Sequence, residues 1–254
     1  VSAGRRACGF AVDGEPLLSA LAESMPPEGL PRPDEAWFGE VADAPDDSMP
    51  IDERTEEFHG RVWSIVRDRV RIGAHESVRD VVIHPGAVAV IALDDEDQVL
   101  LIRQYRHPVG MYLFEPPAGL LDVAGEDPLV TAQRELAEEA GVSARRWNVL
   151  VDLFNSPGGS SEAIRVYLAR DLSALPDGRV VTGEAEEAHL PQAWVSLQQA
   201  RDLVLGGRIG SPSAVAGILA LLAHQSPAAP ELRPADAPWR PREWLEEAGR
   251  VRVE

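Results

Sequence analysis

The chain has a single cysteine, Cys8, a shortage of cations and no long apolar run, and each shortage removes a class of protein. One thiol can neither close an intrachain disulfide nor build a multi-cysteine metal site, which agrees with a reducing cytoplasm. With 24 Lys plus Arg against 42 Asp plus Glu, the formal net charge of −18 opposes non-specific binding to nucleic acid or an anionic membrane, both of which need a basic surface. No stretch approaches the roughly 20 apolar residues of a membrane span. The Arg5-Arg6 pair is followed by "ACGFAVDGEP", where charge and proline intervene before the apolar core of an export signal can develop. These absences describe an acidic cytosolic protein.

What is present is a chain of 254 residues, 44% hydrophobic, enough to bury a sizeable core. Of its 21 prolines, seven lie in residues 1–50 and five follow Gln225. Residues 1–50 are acidic and proline-rich, a composition that buries too little apolar surface to offset chain entropy, so they read as a disordered extension. Met49 stands just before "PIDERTEEFHG", where regular patterning begins. Residues 226–254 form a proline-rich tail. Its Trp239 and Trp244 leave two readings open, a docked segment or a loose one.

Between these ends, "RVWSIVRDRVRI" alternates Val66, Val70 and Ile72 with Arg67, Arg69 and Arg71, the period of a half-exposed strand with a solvated arginine face. "ESVRDVVIHPG" offers a second strand. "AVAVIALDD" and "QVLLIRQYR" read as buried strands joined by the acidic turn "DEDQ", and "WNVLVDLF" and "AIRVYLARDL" as two more, giving a mixed sheet. Helices are predicted at 128–140, at "LQQARDLVLGG" and at "SPSAVAGILALLAHQ", the last with Ser211 as N-cap and Pro212 in its first turn. Strands and helices without a repeating βα unit argue for an α/β sandwich over a doubly wound sheet.

The helix at 128–140 has well-marked limits: Asp127 can cap its start, and Gly141 can end it in the left-handed conformation. Leu129, Ala132, Leu136 and Ala140 form a narrow apolar stripe that must face the core. Glu135 and Glu139 lie at its edge, and Glu138 is further round, at i,i+4 from Arg134. Carboxylates so placed would have raised pKa values unless a cation compensated, and removing one should relieve repulsion. Taken alone, "RELAEE" more often describes a solvated, ion-paired helix face. The preceding segment "EPPAGLLDVAGE", a glycine-bearing loop that contributes Glu126, changes the reading.

Loop and helix together resemble the Nudix box of the Nudix hydrolases, in which Gly, five residues, Glu, seven residues, Arg-Glu, an aliphatic, any residue, Glu-Glu, any residue, Gly and an aliphatic succeed one another. From Glu126 onward the match is complete, through Arg134, Glu135, Leu136, Glu138, Glu139, Gly141 and Val142. Six residues, one more than the pattern, separate Gly119 from Glu126. The resemblance extends over about residues 58–225. It implies an α/β/α sandwich around a mixed sheet at residues 87–225, preceded by an N-terminal antiparallel β region at 51–86 that family members often exchange to form a homodimer. It also implies hydrolysis of a nucleoside diphosphate linked to another group. A divalent cation, Mg²⁺ or alternatively Mn²⁺, would be held by Glu135, Glu139, Glu138 and Glu126, with the carbonyl of Ala118 as a further donor. Arg134 would orient the glutamates.

Outside the box, "RQYRHP", "LFEPPAG" and "SPGGSSE" resemble segments of ADP-ribose pyrophosphatases, and Pro157 falls fifteen residues after Val142, where that subfamily carries a marker proline. The implied reaction is ADP-ribose plus water giving AMP and ribose 5-phosphate. By the same resemblance Arg106 contacts substrate phosphate, Arg79 reaches across the dimer, Glu115 lies on the ribose side, and Glu162, in a glycine-rich loop read as mobile, is the catalytic base. His84 and His107 have no role beyond surface or packing. Other nucleoside diphosphate sugars, such as GDP-mannose or ADP-glucose, would suit the same helix. A non-catalytic nucleotide-binding module is the reading from a different class, and the intact "RELAEE" argues against it.

Overall fold

The computed structural model describes residues 41–179 and 190–252. The chain divides at Pro50. Of the first unit, residues 41–50 are described and run without helix or strand, nearly all exposed, while the disorder expected for the rest of 1–50 falls outside the described residues.

In the second unit three antiparallel strands come first: β1 (Ile51–His59), β2 (Ser64–Ile72) and β3 (His75–Ile83), in sheet order β1-β2-β3. The alternation of β2 does what its period predicts, burying Ser64, Val66 and Asp68 and exposing the arginines. That exposed face is more than solvated. Arg67 pairs with Glu57 of β1 at 3.2 Å and Asp80 of β3 at 2.8 Å, and Arg69 with Glu53 and Glu76, each at 3.2 Å. Such exposed cross-strand pairs contribute at most about 1 kcal/mol each, but opposite charges on facing strands favour this register over a slipped one.

The central sheet has the order β11-β8-β9-β4-β7, comprising β4 (Ala87–Ala92), β7 (Ala118–Leu120), β8 (Val142–Phe154), β9 (Ala163–Ala174) and β11 (Arg233–Pro234). It is mixed, since β4 and β9 run parallel and the other pairs antiparallel. A third sheet has the order β10-β5-β6, from β5 (Gln98–Arg106), β6 (Met111–Glu115) and β10 (Gln192–Ser196). The strands β4 and β5, neighbours in sequence, therefore lie in different sheets, joined by one bridge between Leu93 and Val99. The acidic turn causes this parting. The Asp94 carboxylate accepts from the Glu96 and Gln98 amides, and Asp97 takes a φ of 57°, turning the chain out of the first sheet.

Both faces of β4 are buried, and its residues alternate between two cores. Val88, Val90 and Ala92 face Ala132, Leu136 and Ala140 of α1 (Pro128–Ala140). Ala89 and Ile91 face Ala214, Ile218 and Leu221 of α3 (Pro212–His224), with α2 (Leu197–Leu205) alongside. The result is an α/β/α sandwich. Ser211 stands at the N-cap of α3, but its hydroxyl bonds Ser213 Oγ at 3.2 Å and not the helix backbone.

The tail docks. Strand β11 adds to β8, α4 (Arg240–Glu247) follows, and Trp239, 5% exposed, joins the core on the α1 side with Leu245. The buried Arg165 of β9 donates to the carbonyls of Ala237 and Pro238 at 2.7 and 3.2 Å and lies 4.7 Å from the Trp239 ring centroid. Periodicity could not show α4, because Pro241 looks like a breaker although it is tolerated in a first helical turn. No helix among the described residues is long and apolar enough to cross a membrane.

Candidate active site

Helix α1 begins and ends as its sequence requires. Asp127 accepts from the Leu129 amide at 2.8 Å, and Gly141, at φ 67°, returns its N–H to the Ala137 carbonyl at 3.0 Å. This phase places two carboxylates on the buried face: Glu135 is 8% exposed and Glu139 4%. Glu139 Oε2 accepts the amide N–H of Ala118 at 2.8 Å. Glu135 crosses so close to Gly119 that an added Cβ would meet its Cγ at 2.3 Å and Oε1 at 2.1 Å. A larger residue there would force the Glu135 side chain to move, so the one-residue insertion after Gly119 has left the glycine against the helix.

The cation that like charges call for is Arg134. Its Nη1 donates to Glu135 Oε1 at 2.7 Å and Glu138 Oε2 at 3.1 Å, and its Nη2 to Glu126 Oε2 at 3.2 Å. Burial works against the guanidinium charge, but its bonds to Glu126 and Glu138 and the charge of Glu135 outweigh it and raise its pKa. Glu126 is held below the usual carboxylate range, first by the Thr131 hydroxyl, which donates to it at 2.7 Å, and then by Arg134.

Among the described residues no three acidic or imidazole side chains converge as a ready cation cage, since one guanidinium stands among three of the carboxylates. In kind the donors fit a hard divalent cation: all are carboxylate oxygens, on one helix and the loop leading into it, and such an ion would take over charge that Arg134 now balances.

Of the other anticipated residues, Arg106 and Glu115 come together, with Glu115 Oε2 accepting from Arg106 Nε at 2.8 Å and Nη2 at 2.7 Å. Glu115 is buried and the guanidinium is 42% exposed, so the pair aims a fixed cation outward. Arg79 lies on β3, where it donates to the Val78 carbonyl at 2.9 Å and to the Ser77 hydroxyl. No described bond or ion pair joins it to Arg106, Glu115 or α1.

Glu162 does not sit on a free loop. Val82 of β3 donates to the Gly159 carbonyl at 2.9 Å and accepts from the Ser161 amide at 3.0 Å, so "SPGGSSE" is bound to the end of β3 almost as an added strand. This corrects the mobile reading, because the backbone of the segment is paired with β3. Glu162 Oε2 accepts from Asn155 Nδ2 at 2.7 Å, and Oε1 faces His84 Nε2 at 3.9 Å. Sequence reasoning missed Thr131, Asn155 and His84. Thr131 and Asn155 reach carboxylates across a loop and His84 reaches one on a distant segment, and only the "HPG" turn after β3 offered a local signal.

A family model described as the NUDIX domain matches residues 83–214. The chain is 45% identical over 187 residues to the ADP-ribose pyrophosphatase of Mycobacterium tuberculosis, covering 73% of this chain and 88% of that protein. It is 36% identical over 148 residues to the ADP-ribose pyrophosphatase of Bacillus subtilis, covering 58% and 78%. A solved structure described as an ADP compounds hydrolase superposes with a TM-score of 0.59 at 23% identity, over 80% of this chain and 97% of that one, and shows the shared fold. The chain belongs to the Nudix family. Within it, the chain is a hydrolase of pyrophosphate bonds, in a family that generally requires a divalent metal.

Proposed function

We propose that the protein hydrolyses the pyrophosphate bond of ADP-ribose to AMP and ribose 5-phosphate, using a divalent cation, Mg²⁺ first and Mn²⁺ as the substitute. One observation carries the reading: Glu126, Glu135 and Glu138 share one guanidinium while Glu139 is tied to the Ala118 amide. Three carboxylates around one guanidinium, with a fourth beside them, leave an excess of negative charge that suits a divalent cation. The similarity to two ADP-ribose pyrophosphatases supports the choice of substrate.

Glu135, Glu139, Glu138, Glu126 and the Ala118 carbonyl would hold the cation, which supplies charge neutralisation at the pyrophosphate and acidifies water. Arg106, kept in one orientation by Glu115, offers its exposed guanidinium to a phosphate oxygen. Glu162 takes a proton from the attacking water, as a carboxylate held at one oxygen by Asn155 is equipped to do. Arg79 bonds the Ser77 hydroxyl and the Val78 carbonyl on its own strand, and following the family resemblance we assign it to the partner's site in a homodimer built through residues 51–86. A monomer by light scattering would overturn that part.

The test is AMP release from ADP-ribose and ADP-glucose, and GMP release from GDP-mannose, each with Mg²⁺ and with chelator. ADP-ribose should be turned over best, and chelator should abolish the reaction. Faster release from another sugar nucleotide would reassign the substrate, and no turnover of any would indicate a binding module.

A further inference from the structure

We infer that His84 is a positioning residue for Glu162, presenting a neutral Nε2–H to the carboxylate oxygen that Asn155 leaves open; this rests on Glu162 being the base. The histidine is 7% exposed and constrained on several sides. Its amide donates to Ser161 Oγ at 3.0 Å, within the segment that carries Glu162. Its ring stacks on Trp63, with centroids 6.0 Å apart and planes at 23°.

The decisive contact is at Nδ1, which lies 3.0 Å from the amide nitrogen of Gly86. An amide N–H can only donate, so Nδ1 must accept, and the hydrogen of the neutral ring is therefore on Nε2. That nitrogen faces Glu162 Oε1 at 3.9 Å, while Oε2 is bonded by Asn155 at 2.7 Å. The two oxygens thus have different neighbours. Asn155 fixes one, and the other faces the His84 donor across 3.9 Å, too far for a hydrogen bond as it stands and a gap of the kind that closes in a reacting complex.

Burial holds the imidazole below its ordinary pKa, against the pull of Glu162 and with help from Arg242, so the ring is neutral at neutral pH. Neutrality matters, because a full cation beside Glu162 would oppose the arrival of a proton there and weaken the carboxylate as a base.

The turn that selects this tautomer is closed from the tail. Arg242 of α4 donates to the Pro85 carbonyl, and Gly86, at φ +88°, lies so close that an added Cβ would stand 2.4 Å from Arg242 Nη1 and 3.2 Å from the Ala163 carbonyl. The docked tail therefore reaches the proposed base through three residues, His84, Pro85 and Gly86.

The test uses the full chain with Mg²⁺ and ADP-ribose. His84→Gln keeps an N–H near the position of Nε2. His84→Asn keeps an acceptor near Nδ1 for the Gly86 amide and offers nothing to Glu162. We expect His84→Asn to lower kcat by roughly tenfold to a hundredfold with KM little changed, and His84→Gln to restore most of it. In a Glu162→Gln background, His84→Asn should have no further effect. An undiminished kcat in Glu162→Gln would remove the base reading and this inference with it. An impaired Glu162→Gln beside a silent His84→Asn, or equal loss in both histidine variants, would overturn the positioning role alone. Should His84→Asn not fold, imidazole nitrogen shifts of the wild-type protein decide: His84 must be protonated on Nε2 at neutral pH, and an Nδ1-protonated ring would overturn the inference.

Discussion

Glu135 and Glu139 stand one helical turn apart on the same buried edge of α1, but their partners differ, and so should the consequences of losing their charge. Glu135 is bonded to Arg134 at 2.7 Å, whereas Glu139 accepts an uncharged amide at 2.8 Å. Helix geometry alone suggests that removing either carboxylate relieves repulsion. With Arg134 already compensating, that holds for neither in the simple form, and Glu135→Gln deletes an attraction. In chelator we expect Glu135→Gln to melt lower than wild type. Glu139→Gln, whose amide oxygen still accepts from Ala118, should melt near wild type. Both should lose at least about 10²-fold in turnover, the size of effect seen when a principal electrostatic element is removed. Thermal melts with chelator and rates with Mg²⁺ check the pair, and a normal rate in Glu139→Gln would sink its assignment.

Among the elements, the tail shows how far composition can mislead. Proline marks residues 226–254 as a weakly structured extension, but Trp239 fills a gap beside β9, and two carbonyls just before it accept from Arg165, itself bonded to Asp152 at 2.8 and 3.0 Å. Trp239→Ala should therefore cost about 3–5 kcal/mol, the range for truncating a buried aromatic, and not the negligible change of a loose tail. Urea unfolding measures this, and an unchanged midpoint would show that the docking contributes nothing. The strands β6 and β10 were equally hidden in sequence. Each has five residues, short for a periodicity argument, and each owes its place to pairing with β5.

For the whole molecule, all 24 cations are arginines, for the chain has no lysine, and this simplifies its alkaline behaviour. Burial pushes Tyr167 up to about 12 from its ordinary 10.0. Between those values the unfolded chain has released a proton that the folded chain still holds, so the contribution is fully present below pH 10 and is lost as pH rises through about 12. Tyr167→Phe should show a shallower fall in stability over that window. Denaturant midpoints at pH 9, 10 and 11 test it, and parallel curves for the two proteins would assign the alkaline loss elsewhere.

Local rules in the sequence were sufficient for α1, from its Asp127 cap to its Gly141 end, for the positions of Glu135, Glu138 and Glu139 along it and for Glu126 just before it. Caps, helical periodicity and the spacing of the box act within a few residues, so they can be read without knowing the fold. The sandwich was also legible, because the chain combines strands and helices without a repeating βα unit. Contacts between residues far apart in the chain were not legible. The bond of Glu139 to Ala118, the pressure of Glu135 on Gly119, the separation of β4 from β5, and the approach of Arg242 to Pro85 across 157 positions all depend on chain segments meeting in space. Sequence marked the groups proposed to carry the chemistry. Tertiary structure decided which atom each one faces, because pairing, tautomer and burial are properties of neighbours, and neighbours are chosen by the packing of the whole chain.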